Sequence, residues 1–281
     1  MHDDRRLNGA IDVLVSLAEP DDAERVRARI GVQRQGDGTV PTNNRWSAVR
    51  EISSAPLPAS APLWMLEEDE PLINELVLLA GVLPGALQIA VIDGEPFGPG
   101  RREPVPRTTD VLSTAYPQRP DPIPRDRLVP ELRAVTGMRG GHRIARWIAR
   151  DDWQHVIDAD VERALPGYAR WALALRSDCP AALRERFASH PRYAHRMRTA
   201  GIVAGPGAYA GTQRPALAAL SLLATGRWAF PSRMLDAEAA LRPLVRESLG
   251  ANVEAWAVLA QLLPTFTGTV PELVVTAGAI A

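Results

Sequence analysis

PGYARWALALRSDCPAALRERFASHP, residues 166–191, is the stretch that decides the fold class of this chain. Its apolar residues recur at helical spacing, and prolines interrupt it at positions 166, 180 and 191. Proline is accepted in the first turn of a helix but disrupts the interior of one. The stretch therefore predicts short helices that begin near prolines, rather than a few long helices.

The same pattern of prolines runs through residues 131–264, where we expect nearly continuous helix in segments of about 10–16 residues. Helical spacing also occurs earlier in the chain, at residues 7–30, 45–52, 63–67, 72–80 and 85–92. The tail, residues 270–276, combines strand-favouring valines with Pro271 and Glu272, so its structure stays open. The predicted fold class is all-α with many short helices.

Residues 93–130 differ in composition from the rest of the chain because they contain nine of its 25 prolines. Proline fixes φ and disfavours helix in the residue before it, so this stretch is not one regular element. We expect a Pro-rich connector, either a linker or an extended arm on the surface. It would separate a small acidic helical region, 1–92, from a larger repeat-like helical region, 131–281.

A faint internal repeat supports this organisation. Two units begin and end with prolines 25 positions apart, and each contains a central proline that is followed three residues later by leucine: Pro71–Pro96 with Pro84 and Leu87, and Pro166–Pro191 with Pro180 and Leu183. A helix too short to bury its apolar face alone must stack on its neighbours. The pattern predicts an irregular, solenoid-like C-terminal region of the armadillo or HEAT type.

The stretch from Leu173 to Pro191 also resembles a unit of the leucine-rich repeat variant family, with one good unit and one poor one in this chain. The resemblance implies short all-helical repeats in a curved solenoid, and a habit of binding partners rather than a reaction. One described member binds an iron–sulfur cluster through clustered cysteines. Because Cys179 is the only cysteine here, that property does not carry over, and we expect no cofactor.

The composition excludes some chemistry and indicates a compartment. All 32 basic residues are arginine, so Schiff-base catalysis and a P-loop lysine are excluded. Abundant Arg, Ala, Pro and Gly are typical of a high-GC bacterial genome. A single cysteine, no secretory signal and no apolar run of membrane-spanning length predict a cytoplasmic protein that does not enter a membrane.

Charge is distributed unevenly along the chain. Residues 1–92 contain 8 arginines and 14 acidic residues, whereas residues 125–198 contain 15 arginines and 9 acidic residues. Two interpretations stay open. The acidic and basic parts attract each other in the fold, or the basic part binds an anionic partner.

The candidate binding residues are arginines in that basic part. Four of them are spaced so that they share one face of a helix, opposite Ile144 and Ile148: Arg139, Arg143, Arg146 and Arg150. Five arginines later in the chain could extend this strip: Arg192 and Arg196, and further Arg184, Arg186 and Arg198. The planar fork of arginine suits bidentate contacts with phosphate or carboxylate. The alternative is a solvated helix face paired with Asp151, Asp152 or the acidic N-terminal region.

Candidate catalytic residues are few. Cys179 could act as a nucleophile with His190 or His195 as base, but a buried, inert cysteine is the favoured interpretation. The two histidines do not share a helix face, and we expect no metal site. The run of acids at 67–70 is typical of a solvated helix end.

These observations predict a non-catalytic helical scaffold that mediates protein–protein interaction with an unknown protein partner. One alternative is nucleic-acid or anion binding through an arginine-rich face within residues 125–198. The other is an enzyme of unrecognised class, with its site at the junction of the two helical regions.

Overall fold

The structure is a computed structural model and describes residues 2–34, 45–54, 57–106, 123–188, 195 and 199–281. Within these residues it has 16 α-helices, one short 3-10 helix and no strand, so the predicted all-α class is confirmed. The α-helices are α1 His2–Val15, α2 Pro20–Ile30, α3 Arg45–Ser54, α4 Ala61–Leu66, α5 Pro71–Leu79, α6 Gly85–Asp93, α7 Arg125–Arg133, α8 Met138–Ala145, α9 Trp153–Glu162, α10 Gly167–Ala174, α11 Ala181–Ala188, α12 Pro206–Thr212, α13 Ala216–Ala229, α14 Pro231–Ser248, α15 Val253–Leu262 and α16 Val270–Ile280. The 3-10 helix is Arg150–Asp152.

Proline marks the starts of these helices, as the sequence predicts. Pro20 and Pro71 are the first residues of α2 and α5, and Pro166 is the N-cap of α10. Backbone N–H groups at these positions have no acceptor within the helix, so proline, which lacks the N–H, costs no helical hydrogen bond there. Among the described residues, no helix is long and apolar enough to cross a membrane.

The chain divides into two compact units. The first comprises Met1–Asn43 and Val203–Ala281, and the second comprises Asn44–Ile202. These units do not follow the predicted division into 1–92, 93–130 and 131–281. The reason is that α1 packs against α13 and α2 packs against α15, and a local sequence pattern does not report such long-range contacts.

In the first unit, a buried carboxylate joins three helices. Asp12 of α1 is 1% exposed. Arg27 of α2 donates from Nε to its Oδ1 at 3.0 Å, and Arg227 of α13 donates from Nη1 to its Oδ2 at 2.6 Å. Arg227 also donates to the Ser16 hydroxyl at 2.7 Å. A buried charge needs such partners, so Asp12 fixes the arrangement of α1, α2 and α13.

The C-terminal tail, whose structure the sequence leaves open, is helix α16. Thr269 is its N-cap, and its hydroxyl accepts a hydrogen bond from the Glu272 backbone N–H at 3.3 Å. Glu272 in turn accepts one from the Thr269 N–H at 2.7 Å. This is a capping box, and its Thr-x-x-Glu spacing is visible in the sequence. The local helix-start signal thus outweighs the strand propensity of the valines.

The capping box predicts a pH-dependent contribution to stability. The backbone N–H of Thr269, and then the Arg214 guanidinium at 2.5 Å, hold the pKa of the Glu272 carboxyl below its usual value. A lowered pKa means that this contribution is present above the unfolded pKa of about 4.3 and is lost as pH falls through the folded pKa. We expect the difference in urea midpoint between wild type and Glu272→Gln to shrink from pH 7 to pH 3. A difference that stays constant over this range would contradict the assignment.

The second unit has a core formed largely by its later helices. Helix α7 packs on α8, α8 on α10 and α10 on α11. The buried side chains between them include Ile148, Trp153, Leu173 and Phe187. The short lengths of α8, α10 and α11, at 8 residues each, follow from the frequent breaks in the sequence.

The described part of the predicted connector is anchored to the second unit. Phe97 and Val105 are buried. Asp69, in the left-handed region with φ 52°, accepts hydrogen bonds from the backbone N–H groups of Phe97 and Gly98 at 2.6 and 3.0 Å. Asp69 thus has a structural role within the acidic run at 67–70.

The predicted connector also ends earlier than expected. Helix α7 begins at Arg125, with Pro124 as its N-cap, and it contains Pro130 in its interior. The stretch up to 130 is therefore not all connector, because one proline is accommodated within a helix there. Residues 107–122 lie outside the described residues.

Candidate functional site

Helix α8 is held against α10 by a close backbone approach. A Cβ atom on Gly141 would lie 2.7 Å from the carbonyl oxygen of Tyr168 and 3.0 Å from the Cβ of Ala172. Ile144 and Ala145 are buried on the same side of α8. The opposite side of this helix therefore faces solvent.

Three of the predicted arginines lie on that solvent-facing side. Arg139 and Arg143 are in α8, and Arg146 is its C-cap with right-handed helical φ and ψ, so the helical path continues through it. All three side chains are exposed. Their spacing of four and three residues places them on one face, as the sequence predicts.

Arg150 does not continue this helical face. Ala149 is extended, and Arg150 begins the 3-10 helix instead of another turn of α8. Its guanidinium donates to the carbonyl oxygen of Pro96 at 2.5 Å and lies 4.6 Å from the centre of the Phe97 ring. Arg150 thus has a structural contact with the 94–106 segment.

A fourth arginine joins the face from the neighbouring helix. Arg127 of α7 pairs with Glu131 at 2.9 Å, and Arg143 lies 3.8 Å from the other oxygen of the same carboxylate. Both arginine side chains are 67% exposed. We name Arg127, Arg139, Arg143 and Arg146 the basic face. Arg127 is not among the candidate residues predicted from the sequence, although its i,i+4 spacing to Glu131 predicts the ion pair between them.

The C-terminal end of the basic face is supported by contacts with α6. The Arg146 guanidinium lies 4.9 Å from the centre of the Trp147 ring, within the range of a cation–π interaction. That ring packs so closely on Gly85 that a Cβ there would be 2.5 Å from it. The Ala86 N–H donates to the Arg146 carbonyl at 2.8 Å. The backbone that carries Arg146 is therefore fixed.

Other arginines of residues 125–198 act within the fold. Arg170 and Arg186 lie 2.8 and 3.4 Å from the buried Asp160 carboxylate. Arg184 donates to the carbonyl oxygens of Arg176 and Ser177, at 2.8 and 3.0 Å. Arg184 and Arg186 thus make contacts within the fold, and their part in the binding strip stays a prediction. Arg192, Arg196 and Arg198 lie outside the described residues.

The expected pairing partners of the strip are placed differently. Asp152 lies 3.6 Å from Arg125, and Glu131 is the carboxylate beside Arg143. Among the described residues, no carboxylate forms an ion pair with Arg139. Of the four guanidinium groups of the basic face, those of Arg127 and Arg143 lie within ion-pair distance of Glu131.

Cys179 is buried, as expected, and burial raises the pKa of its thiol to about 12. The Arg184 guanidinium opposes this shift and the Asp178 carboxylate adds to it. The nucleophile is the thiolate, which is scarce at neutral pH for such a group. His190 lies outside the described residues, and His195 is exposed. The reactive-thiol alternative is therefore disfavoured.

We expect Cys179 to react with a thiol reagent only after unfolding. At pH 8 the folded protein should consume almost no disulfide reagent, because its thiol is buried and protonated. One equivalent should react in denaturant, which serves as the control. Stoichiometric reaction of the native protein within minutes would show that the thiol is accessible and ionised.

A pocket of about 220 Å³ lies in the second unit and is lined mainly by apolar side chains. It is lined by Ile52, Leu57, Pro58, Ala59, Pro62, Val82, Pro84 and Leu175, with Ser53 and Ser177. None of these side chains titrates near neutral pH, which gives the pocket no acid–base group. Within the described ranges, no three His, Cys, Asp or Glu side chains are grouped to hold a metal ion.

No family model, no curated protein and no solved structure matches the chain. The resemblance to the leucine-rich repeat variant family stays a prediction.

Proposed function

We propose that this protein is a non-catalytic helical scaffold that binds another protein through its basic face. The observation that carries the proposal is the alignment of Arg139, Arg143 and Arg146 on the exposed side of α8, beside Arg127 of α7. Arginine is enriched at protein interfaces because its fork forms several directed hydrogen bonds. Two of the four forks share the Glu131 carboxylate, so the basic face has more guanidinium donors than that carboxylate can accept.

The proposal includes an irregular solenoid-like stack and a cytoplasmic location in a bacterium. The packing of α7 on α8, α8 on α10 and α10 on α11 supports a stack of short helices within the second unit, although α9 is not part of this series. A stack of this kind presents one helix face after another to a partner.

Binding to nucleic acid is the competing proposal for the same face. A phosphate backbone brings closely spaced negative charges, and Glu131 within the face would repel them. The chain as a whole has a net charge of −1, whereas nucleic-acid-binding domains are commonly basic. These two observations favour a protein partner, which can place its charges around Glu131.

The enzyme alternative receives less support from the described site. The 220 Å³ pocket is lined by residues from both predicted helical regions, 1–92 and 131–281, but their side chains are apolar apart from two serines. Catalysis at such a place would need titratable groups in contact with the substrate. The enzyme alternative therefore stays a prediction without a located site.

Affinity capture from host lysate with charge-matched variants tests the proposal. Wild type is compared with Arg139→Ala/Arg143→Ala/Arg146→Ala and with a control that removes three exposed arginines elsewhere, Arg25→Ala/Arg102→Ala/Arg163→Ala. We expect wild type and the control to retain a stoichiometric protein after nuclease treatment, and the face variant to lose it. Equal recovery with the face variant would overturn the proposal. Loss of the protein after nuclease treatment would favour nucleic acid.

A further inference from the structure

We propose that the basic face binds an acidic helical segment of the partner, with carboxylates at positions i, i+4 and i+7. This inference rests on the proposed function and specifies the partner's chemistry. Arg139, Arg143 and Arg146 are four and three residues apart on one helical path. At 1.5 Å per residue, they span about 10 Å along the helix axis. A partner helix with the same spacing of carboxylates matches this strip residue for residue.

The chemistry of the guanidinium group favours carboxylates as ligands. Each planar fork can donate two parallel hydrogen bonds to one carboxylate, and such charge-assisted pairs are stronger than neutral ones. The first turn of α8 contains no acidic residue, and its N-cap Gly137 provides no side-chain cap. A partner carboxylate near Arg139 therefore meets no competing negative charge in that turn, and the positive end of the helix dipole adds to the attraction.

The face is partly organised before the partner binds. Arg146 lies over the Trp147 ring, and Arg143 lies near Glu131. A side chain that already occupies a narrow range of conformations loses less entropy when it binds a ligand. The strip is therefore suited to a rigid partner such as a helix.

Glu131 lowers the affinity of the basic face for a partner carboxylate at Arg143. It lies within ion-pair distance of both Arg127 and Arg143, so a partner carboxylate at Arg143 must compete with it. Its negative charge also opposes a partner carboxylate placed directly above it. Removing this charge in Glu131→Gln should therefore strengthen the binding of an acidic helix, whereas a purely structural role for Glu131 would give no gain.

Fluorescence anisotropy with labelled helical peptides and the full-length protein tests the inference. The probe is an Ala-rich peptide of about 15 residues with Glu at i, i+4 and i+7. Two control peptides have the same length: one has Gln in place of Glu, and the other has the same number of Glu residues at spacings that do not share a face. A single-stranded DNA of similar charge is the fourth probe. Binding is measured at about 50 mM salt, where screening is weak.

We expect the aligned Glu peptide to bind wild type and the Arg25→Ala/Arg102→Ala/Arg163→Ala control equally. Its affinity should fall about tenfold or more for Arg139→Ala/Arg143→Ala/Arg146→Ala. The corresponding triple Lys variant keeps the charge but lacks the fork, so its affinity should fall by less but measurably. Glu131→Gln should bind the peptide a few-fold more tightly.

Three results would overturn the inference: no binding of the aligned peptide, equal binding of the peptide with unaligned glutamates, or tighter binding of DNA than of the peptide. If the lysate partner still depends on the basic face, the proposed function stands and only the acidic-helix inference fails. If lysate capture is also insensitive to the face variant, both fail.

Discussion

Replacing Asp12 with alanine is expected to lower the free energy of unfolding by about 3–5 kcal/mol. The reason is that Asp12, which is 1% exposed, forms ion pairs with Arg27 and Arg227. The side chains of these arginines are only 11% and 20% exposed, respectively. Without the carboxylate, two largely buried guanidinium groups lose their shared partner. Urea unfolding followed by far-UV circular dichroism measures the change.

An exposed ion pair in the same unit provides the matched control. Arg29 and Glu254 lie 3.0 Å apart with side chains 51% and 61% exposed. We expect Glu254→Ala to change the free energy of unfolding by at most about 1 kcal/mol, because water screens such a pair. If Asp12→Ala is no more destabilising than Glu254→Ala, Asp12 does not hold α1, α2 and α13 together.

Replacing each of two adjacent glycines of α8 with alanine is expected to change the free energy of unfolding in opposite directions. Gly141→Ala should destabilise the protein by about 1–3 kcal/mol, because the new methyl group would lie 2.7 Å from the backbone oxygen of Tyr168. Gly140 has no atom within 4 Å of such a methyl group. Gly140→Ala should therefore stabilise the protein by about 0.5–1 kcal/mol, through the higher helix propensity of alanine.

Both variants introduce the same residue at neighbouring positions of α8. The difference between their urea unfolding midpoints therefore reports the packing of the Gly141 side of α8 against α10. The contact between α8 and α10 orients the basic face toward solvent. Destabilisation of similar size in both variants would indicate a general cost of alanine in α8, and would contradict the close approach to Tyr168.

Local sequence signals explain much of the fold. Prolines such as Pro20 and Pro71 mark helix starts because their geometry fits the first helical turn. The Thr269-x-x-Glu272 capping box is equally local, although the valines after it obscured the signal. Such features depend on residues within a few positions of each other, and so can be predicted from the chain alone.

Contacts between distant parts of the chain could not be predicted in this way. Asp12 and Arg227 are 215 residues apart, and no periodicity relates them. The compact units consequently differ from the division inferred at the Pro-rich stretch.

The candidate site was predictable to the extent that it is helical. The spacing of Arg139, Arg143 and Arg146 predicts a shared face, and the structure places them on one helical path. Arg150 departs from it because Ala149 is extended, which a regular spacing does not reveal. Arg127 depends on the packing of α7 against α8, a contact between helices rather than a pattern within one.

Binding through the basic face is tested most directly by hydrogen exchange of the protein, free and bound to the protein partner recovered by capture. The N-terminal amides of α8 lack a side-chain cap, so they should exchange quickly in the free protein. If the partner binds the basic face, it should slow exchange mainly in residues 125–146, where α7 and α8 carry that face. Slowed exchange elsewhere, with α7 and α8 unchanged, would contradict binding through the basic face.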